Sequence, residues 1–169
     1  MVIWYFWIYS FLGYLLEKLF AAVTRAEQQG RKCFLLLPLC PVYGLGMLAV
    51  LALPRMQGWA LVLWGGLAAT AVEYAVHWAY ERFLHVRFWD YSETFGNLRG
   101  RVCLPFSLAW GALTAAAVRW VQPVVASAAA RTIPAVTALC LAVFAADAAL
   151  SARVLRRSGD AEALRADRR

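Results

Sequence analysis

Long apolar runs recur five times along the chain and set its overall pattern. They cover residues 2–24, 34–53, 58–83, 102–121 and 132–152. About 20 helical residues cross the roughly 30 Å hydrocarbon core of a bilayer, and each run is close to that length or longer. The pattern therefore predicts an all-α protein, a polytopic membrane helix bundle with about five transmembrane helices.

The second apolar run contains residues that do not fit an unbroken helix. Pro38 and Pro41 are followed closely by Gly44 and Gly46. Proline removes a backbone hydrogen bond and its ring clashes with the preceding turn. Irregular backbone at membrane depth is tolerated only where it is buried in protein or lines a wet cavity. We therefore expect a broken second span, held against its neighbours.

Polar residues follow one face of the third run. Glu73, His77 and Glu81 are spaced by four residues, and each such step drifts only about 40° around a helix. A carboxylate at mid-bilayer costs on the order of 2.5–3.5 kcal/mol on insertion scales, so it is seldom kept without a partner or a purpose. Shorter stripes occur on three other runs: Ser10, Tyr14 and Glu17; Cys103, Ser107 and Trp110; Cys140, Phe144, Asp147 and Ser151.

The connection between the third and fourth runs, here called the polar loop (residues 84–101), is charged, aromatic and punctuated by glycine. We expect it to be structured and to cover a polar vestibule formed by the stripes. The expected substrate-binding residues are Glu17, Glu73, His77, Glu81, Asp90, Tyr91, Asn97, Arg99, Arg101 and Ser107. In particular, Glu73, Glu81 and Arg101 are expected to face one shared cavity.

Composition and charge narrow the class of protein. The chain is 63% hydrophobic and 16% charged, well away from an average soluble domain. Its net charge of +7 belongs to loops and the tail, and no basic–aromatic nucleic-acid module is present, so nucleic acid is not an expected partner. The four cysteines lack metal-ligand spacing, and we expect no cofactor and no metal.

The placement of basic residues predicts the orientation. Arg25, Arg31 and Lys32 lie in the first connection, four arginines lie between 82 and 101, and six follow residue 152. The second and fourth connections, together with the adjoining end of the fourth run, hold only Arg55, Arg119 and Arg131. The positive-inside rule then puts the N-terminus outside and the C-terminus in the cytoplasm.

Two regions follow from this layout. Residues 1–152 are expected to form the transmembrane helix bundle, and residues 153–169 a basic cytoplasmic tail. The tail shows no hydrophobic periodicity, so we expect it not to pack back on the bundle and to be dispensable for folding.

Several sequence blocks resemble a bacterial family of ABC-transporter type IV permeases, also called CmpB-like. The blocks are Tyr9–Gly13 leading to Glu17, Pro38–Gly44, Glu73-Tyr74 with Glu81, Trp89–Ser92, and Asn97–Leu104 with Ser107 and Trp110-Gly111. The resemblance implies a transport permease in the bacterial cytoplasmic membrane. Since the sequence has no G-x-x-x-x-G-K phosphate loop, it also implies a separate ATPase subunit, which the polar loop could contact.

Three functions stay open on the sequence alone. The first is a non-catalytic membrane protein of transport type, whose vestibule binds a small solute or a lipid headgroup. The second is a membrane-embedded enzyme acting on a phospho- or glycolipid, with Asp90 or Glu81 as general base and Arg101 as phosphate clamp. The third is a scaffold subunit. A homo-oligomer is compatible with all three.

Overall fold

A computed structural model describes residues 1–24, 33–161 and 163–166, and within them the fold is all-helical, as predicted. Seven α-helices follow in order along these described residues, with π-helical turns at Tyr80–Leu84 and Ala117–Val121. The helices are α1 Val2–Thr24, α2 Pro41–Ala52, α3 Gly58–Ala79, α4 Leu104–Ala116, α5 Gln122–Ala130, α6 Pro134–Ser158 and α7 Ala163–Ala166. Arg25, Arg31, Lys32, Arg168 and Arg169, which enter the charge argument, lie outside the described residues.

Four helical stretches of the described chain are long and apolar enough to cross a membrane. They are Val2–Thr24, Gly58–Leu84, Leu104–Ala130 and Pro134–Ser158. Helix α2 has 12 residues, roughly 18 Å at 1.5 Å per residue, and is preceded by the non-helical stretch 33–40. The second run is therefore a broken span, as predicted.

Neighbouring elements satisfy the backbone of the broken stretch. The Leu36 N–H donates to Ser151 Oγ at 3.3 Å, and the Leu37 N–H donates to Asp147 Oδ2 at 3.2 Å. The Cys40 N–H donates to the Ser10 carbonyl at 2.8 Å. Two polar side chains of α6 and a backbone carbonyl of α1 therefore support the backbone here, as irregular structure at membrane depth requires.

The fourth span is longer than predicted because Pro123 does not end it. Pro123 lacks the N–H that would bond the carbonyl four residues earlier. The helix widens over the π-helical turn Ala117–Val121, where the Gln122 N–H bonds the Ala117 carbonyl, and then continues as α5 to Ala130. The connection expected between the runs 102–121 and 132–152 is instead residues 131–133.

Glycines bring the helix axes together. A Cβ on Gly66 would lie 2.9 Å from the Gly111 Cα, and one on Gly111 would lie 2.8 Å from the Val62 carbonyl oxygen. Gly44 of α2 packs against the Phe6 carbonyl of α1 in the same way. Small residues at such crossings are typical of membrane helix pairs, where close packing replaces the hydrophobic driving force. The α3–α4 contact fixes the position of the polar stripe on α3.

The expectation that the chain after residue 152 makes no packing contacts is wrong. Helix α6 continues to Ser158 and is capped by Gly159 in a left-handed conformation (φ 66°). Leu155, Ala161 and Leu164 are buried in one cluster with Val86 and Phe88 of the polar loop. The hydrophobic positions were too few and too widely spaced to register as a periodic pattern, yet they close over one end of the bundle.

Candidate functional site

The polar stripe of α3 lies inside the bundle, beneath the polar loop. Glu73 is fully buried and His77 nearly so, whereas Glu81 lies on the π-helical turn with 18% of its side chain exposed. The four-residue spacing thus places all three on one helix face, as predicted. Their depth increases from Glu81 to Glu73.

Glu73 is held by two aromatic donors from different elements. Trp110 Nε1 of α4 donates to Glu73 Oε2 at 2.8 Å, and the Tyr91 hydroxyl of the polar loop donates to Oε1 at 3.3 Å. The Tyr43 ring of α2 packs on Trp110 with ring centroids 5.0 Å apart. Each carboxylate oxygen therefore has a donor, which lowers the cost of burying it.

Glu81 is surrounded by cationic side chains. Arg101 donates through Nε at 2.8 Å and lies within 2.7 Å through Nη2, while Arg87 Nε is 2.6 Å from the other carboxylate oxygen. The Arg101 guanidinium also donates to the Tyr74 hydroxyl at 2.8 Å. The hydrogen bond to Glu81 raises the pKa of Arg101 above its ordinary value. Both Arg101 nitrogens contact Glu81 Oε2 and Arg87 contacts Oε1, so a guanidinium group stands at each carboxylate oxygen.

His77 connects the helix to the loop. Its Nε2 lies 2.9 Å from the Trp89 carbonyl oxygen, and because a carbonyl only accepts, Nε2 carries the proton. The other ring nitrogen, Nδ1, is buried 3.5 Å from Glu81 Oε2.

The polar loop is built around a short set of internal hydrogen bonds. Asp90 Oδ1 accepts from the Ser92 hydroxyl at 2.5 Å and from the Ser92 N–H at 2.9 Å, and these bonds lower the pKa of Asp90. Asn97 donates to the Ser92 and Thr94 carbonyls and accepts from the Gly100 N–H. Gly100 (φ 68°) approaches Asp90 so closely that a Cβ would lie 2.6 Å from Oδ1.

The loop is also fastened to the network below. Trp89 Nε1 donates to the Arg101 carbonyl at 2.9 Å, and the Tyr91 N–H donates to the Gly100 carbonyl at 2.8 Å. The predicted structured loop is therefore confirmed. Asn97 stabilises the turn in which it lies through its side-chain hydrogen bonds. Arg99 is exposed and has a left-handed backbone conformation (φ 55°).

The predicted residues separate into a central set and a peripheral set. Glu73, His77, Glu81, Tyr91 and Arg101 share one network, joined through Trp89, and Asp90 borders it through Arg87 at 3.6 Å. Glu17 is buried on α1 and accepts from the Tyr43 hydroxyl at 2.6 Å. Ser107 is half-buried at the α3–α4 crossing, where its carbonyl faces Gly66.

The cavity expected between Glu73, Glu81 and Arg101 stays a prediction, while the burial and contacts of the three side chains show how they are held. Glu73 has no exposed surface, and its carboxylate is enclosed by Trp110 and Tyr91. Glu81 and Arg101 bond each other directly. The three side chains converge on the segment Trp89–Ser92, since Tyr91 donates to Glu73 and Trp89 donates to the carbonyl of Arg101, which pairs with Glu81.

Four residues that contact the predicted glutamates or Arg101 are not among the predicted site residues: Tyr43, Tyr74, Arg87 and Trp110. Trp110 had a signal, since it continues the Cys103–Ser107 stripe of α4. Tyr74 and Arg87 had none, because their roles depend on how the loop folds back over α3.

The arrangement limits the chemistry available. A carboxylate whose pKa is lowered is a weaker base, so the Ser92 hydrogen bonds make Asp90 a poor general base. Glu81 is engaged by two arginines. Within the described ranges, no three His, Cys, Asp or Glu side chains form a group that could hold a metal ion. The geometry is that of a closed, charge-paired network.

These features define the class of protein, which is a multi-pass membrane helix bundle with a charged network under a folded loop. Comparison with protein families agrees with this class. The family described as "Putative ABC-transporter type IV" matches residues 4–152, and the chain belongs to this family. No curated protein gave a significant match, and no solved structure did either.

Proposed function

We propose that the chain is the membrane subunit of a transport system and that its polar network binds a small solute or a lipid headgroup of cationic or hydrogen-bonding character. The observation that carries this proposal is the pair of glutamates on one face of a membrane helix, covered by a loop that belongs to the same network. Ionisable residues inside membrane spans mark substrate and ion pathways by default.

The charge pairing suggests how such a site works. Two guanidinium groups stand at Glu81, in the position that a cationic solute would take. We infer that this conformation is closed, and that a solute binds when Arg101 leaves Glu81. Because the Arg101 carbonyl accepts from Trp89, movement of the backbone at Arg101 would also displace Trp89, at the other side of the polar loop. Arg101 is then the gate, and Glu81 and Glu73 are the solute ligands.

Charge distribution supports an orientation for this gate. With the N-terminus outside, the polar loop and the C-terminal segment face the cytoplasm of a bacterial inner membrane. Phe95 and Leu98 on the loop are 78% and 57% exposed and lie beside the exposed Arg99. An apolar surface with a basic neighbour suits contact with a separate ATPase subunit, which we propose supplies the energy.

Ligand binding can be tested by thermal stability. A ligand at 100 times its Kd stabilises the folded state by about 2.7 kcal/mol. We expect that, in a panel of small cations, polyols and phospholipid headgroup analogues, at least one raises the unfolding temperature of the detergent-purified chain. That shift should be lost in Glu81→Gln and kept in Glu93→Gln, a matched change on the exposed part of the loop. If no compound distinguishes the two variants, the binding proposal fails.

A scaffold role is the second candidate, and one observation favours it. Both oxygens of Glu73 already accept hydrogen bonds, so the network can serve to fix the loop on the bundle without any ligand. The two roles differ in what Glu81→Gln changes. A scaffold loses stability alone, whereas a binding site also loses the ligand-dependent shift.

A further inference from the structure

A second candidate site lies at the other end of the bundle from the polar loop. The ends of α2 and α4 and the start of α3 line an open cavity of about 880 Å³ there. Pockets of 300–1,000 Å³ suit a ligand of drug or lipid-headgroup size. The cavity shares no lining residue with the polar network.

The charge of this cavity has one sign. Arg55 and Arg119 are its charged lining residues, and no Asp or Glu lines it. In the described part of the chain neither arginine takes part in an ion pair. The charge pattern leaves only three arginines on this side of the chain, and two of them line this single cavity. Guanidinium groups bind phosphate oxygens through paired hydrogen bonds, so the complementary ligand is a phosphate-bearing anion.

The walls indicate where the rest of the ligand lies. Val50, Leu51 and Val62 form apolar surface beside the arginines. Trp59 and Trp120, also lining the cavity, are 86% and 68% exposed. Tryptophan with one face in hydrocarbon and its N–H near water is typical of the headgroup level of a bilayer. An anionic lipid with its headgroup in this cavity would have its acyl chains alongside the exposed helix surface.

The local backbone is consistent with a binding role. Arg119 and Trp120 lie on the π-helical turn Ala117–Val121, which Pro123 imposes on the fourth span. π-Helical turns inside helices are frequent at functional sites. The same turn precedes Gln122, which lines the cavity and whose side-chain oxygen accepts from the Tyr9 hydroxyl at 2.8 Å.

We propose that this cavity binds the phosphate headgroup of an anionic phospholipid, held by Arg55 and Arg119, with Trp59 and Trp120 beside the glycerol region. The site is independent of the polar network, so its test does not depend on the transport proposal. Loss of one basic residue near a lipid surface costs about 1 kcal/mol, equivalent to roughly fivefold in affinity.

Native mass spectrometry of the full chain in detergent, titrated with phosphatidylglycerol or phosphatidylcholine, tests the proposal. We expect the wild type to bind phosphatidylglycerol more tightly than the zwitterionic phosphatidylcholine. Relative to the wild type, Arg55→Gln or Arg119→Gln should bind phosphatidylglycerol about fivefold more weakly, and the double variant roughly 25-fold more weakly. Arg131→Gln, an exposed arginine outside the cavity, is the matched control and should bind like the wild type.

Equal binding by all variants would overturn the proposal. A competition arm separates the two sources of phosphate. Inorganic phosphate and glycerol phosphate should not displace the lipid at equimolar concentration. If either binds alone with the affinity of the lipid, and loses it in the arginine variants, the ligand is a soluble anion and the lipid assignment is wrong. Since all three arginines are exposed, circular dichroism should show unchanged helix content in every variant.

Discussion

Replacing Trp110 with phenylalanine removes the strongest donor to the buried carboxylate. Phenylalanine keeps an aromatic ring against Tyr43 but has no N–H to donate to Glu73 Oε2, now 2.8 Å away. Since Glu73 is fully buried, water cannot replace that donor. The variant therefore removes one hydrogen bond from a carboxylate that is buried inside the bundle.

The expected loss in the free energy of unfolding of Trp110→Phe has two parts, a lost hydrogen bond and a cavity. A hydrogen bond to a charged group is worth about 1.5–3 kcal/mol in proteins, whereas side-chain hydrogen bonds between membrane helices average about 0.6 and reach about 1.7 kcal/mol. A buried carboxylate belongs at the upper end of the membrane range, about 1.5 kcal/mol. The smaller ring adds a cavity cost of about 1 kcal/mol. We expect Trp110→Phe to lower the free energy of unfolding by about 2–3 kcal/mol.

A double-mutant cycle with Glu73→Gln isolates the hydrogen bond from the cavity. The free energy of unfolding is measured by detergent-induced denaturation in mixed micelles, with helix content followed by circular dichroism, for the wild type, both single variants and the double variant. We expect a coupling energy of about 1.5 kcal/mol. Trp59→Phe, at an 86% exposed position, should change stability little. A coupling energy below about 0.5 kcal/mol would refute the assigned contact.

Three further predictions concern the packing that holds the site in place. Gly66→Ala should destabilise the bundle by about 1–3 kcal/mol, because the new Cβ would meet Gly111. Gly46→Ala is the control and should be close to neutral, since the nearest atom to its Cβ would be 3.9 Å away. Equal melting temperatures for the two variants would contradict the helix crossing. The free energy of unfolding of a chain ending after Arg157 should be about 2–4 kcal/mol lower than that of a chain ending after Ala166, since the shorter chain lacks buried Leu164 and the Gly159 cap. An unchanged free energy of unfolding would show that the C-terminal cluster is not structural. Because the pKa of Asp90 in the folded chain lies below its ordinary value, its contribution to stability is present above about pH 4 and lost as the pH falls through the lowered pKa. The melting temperature of Asp90→Ala should thus fall below that of the wild type at pH 7 and approach it in acid, and a gap that persists in acid would exclude this cause.

Sequence periodicity was enough to predict the helices and the face that Glu73, His77 and Glu81 share, because both depend on local spacing. The prolines and glycines of residues 38–46 also located the broken span, whereas Pro123 is accommodated by a π-helical turn and did not end its helix as expected. The partners of the glutamates were harder to find. Tyr74 and Arg87 enter the site only because the polar loop folds back over α3, and this depends on long-range bonds such as Trp89 to the Arg101 carbonyl.

The open vestibule could not be judged from sequence for the same reason. Convergence of polar stripes places the side chains near one another, but whether space remains between them depends on the aromatic volume contributed by other elements. Here Trp110 and Tyr91 enclose Glu73. Likewise, the buried positions Leu155 and Leu164 carry no periodic signal, because their partners Val86 and Phe88 lie in a loop distant in sequence.

The most direct test of the proposed gate is the reactivity of the two glutamates in proteoliposomes. A water-soluble carbodiimide with an amine nucleophile modifies accessible carboxyl groups, and mass spectrometry reports each position. If Arg101 closes the network, Glu81 should react slowly and Glu73 not at all in the wild type, while both should react faster in Arg101→Ala and Glu93 should react equally in the two proteins. If Glu73 stays unmodified in Arg101→Ala while Glu93 reacts fully, the loop does not open over the network and the proposed binding site is contradicted.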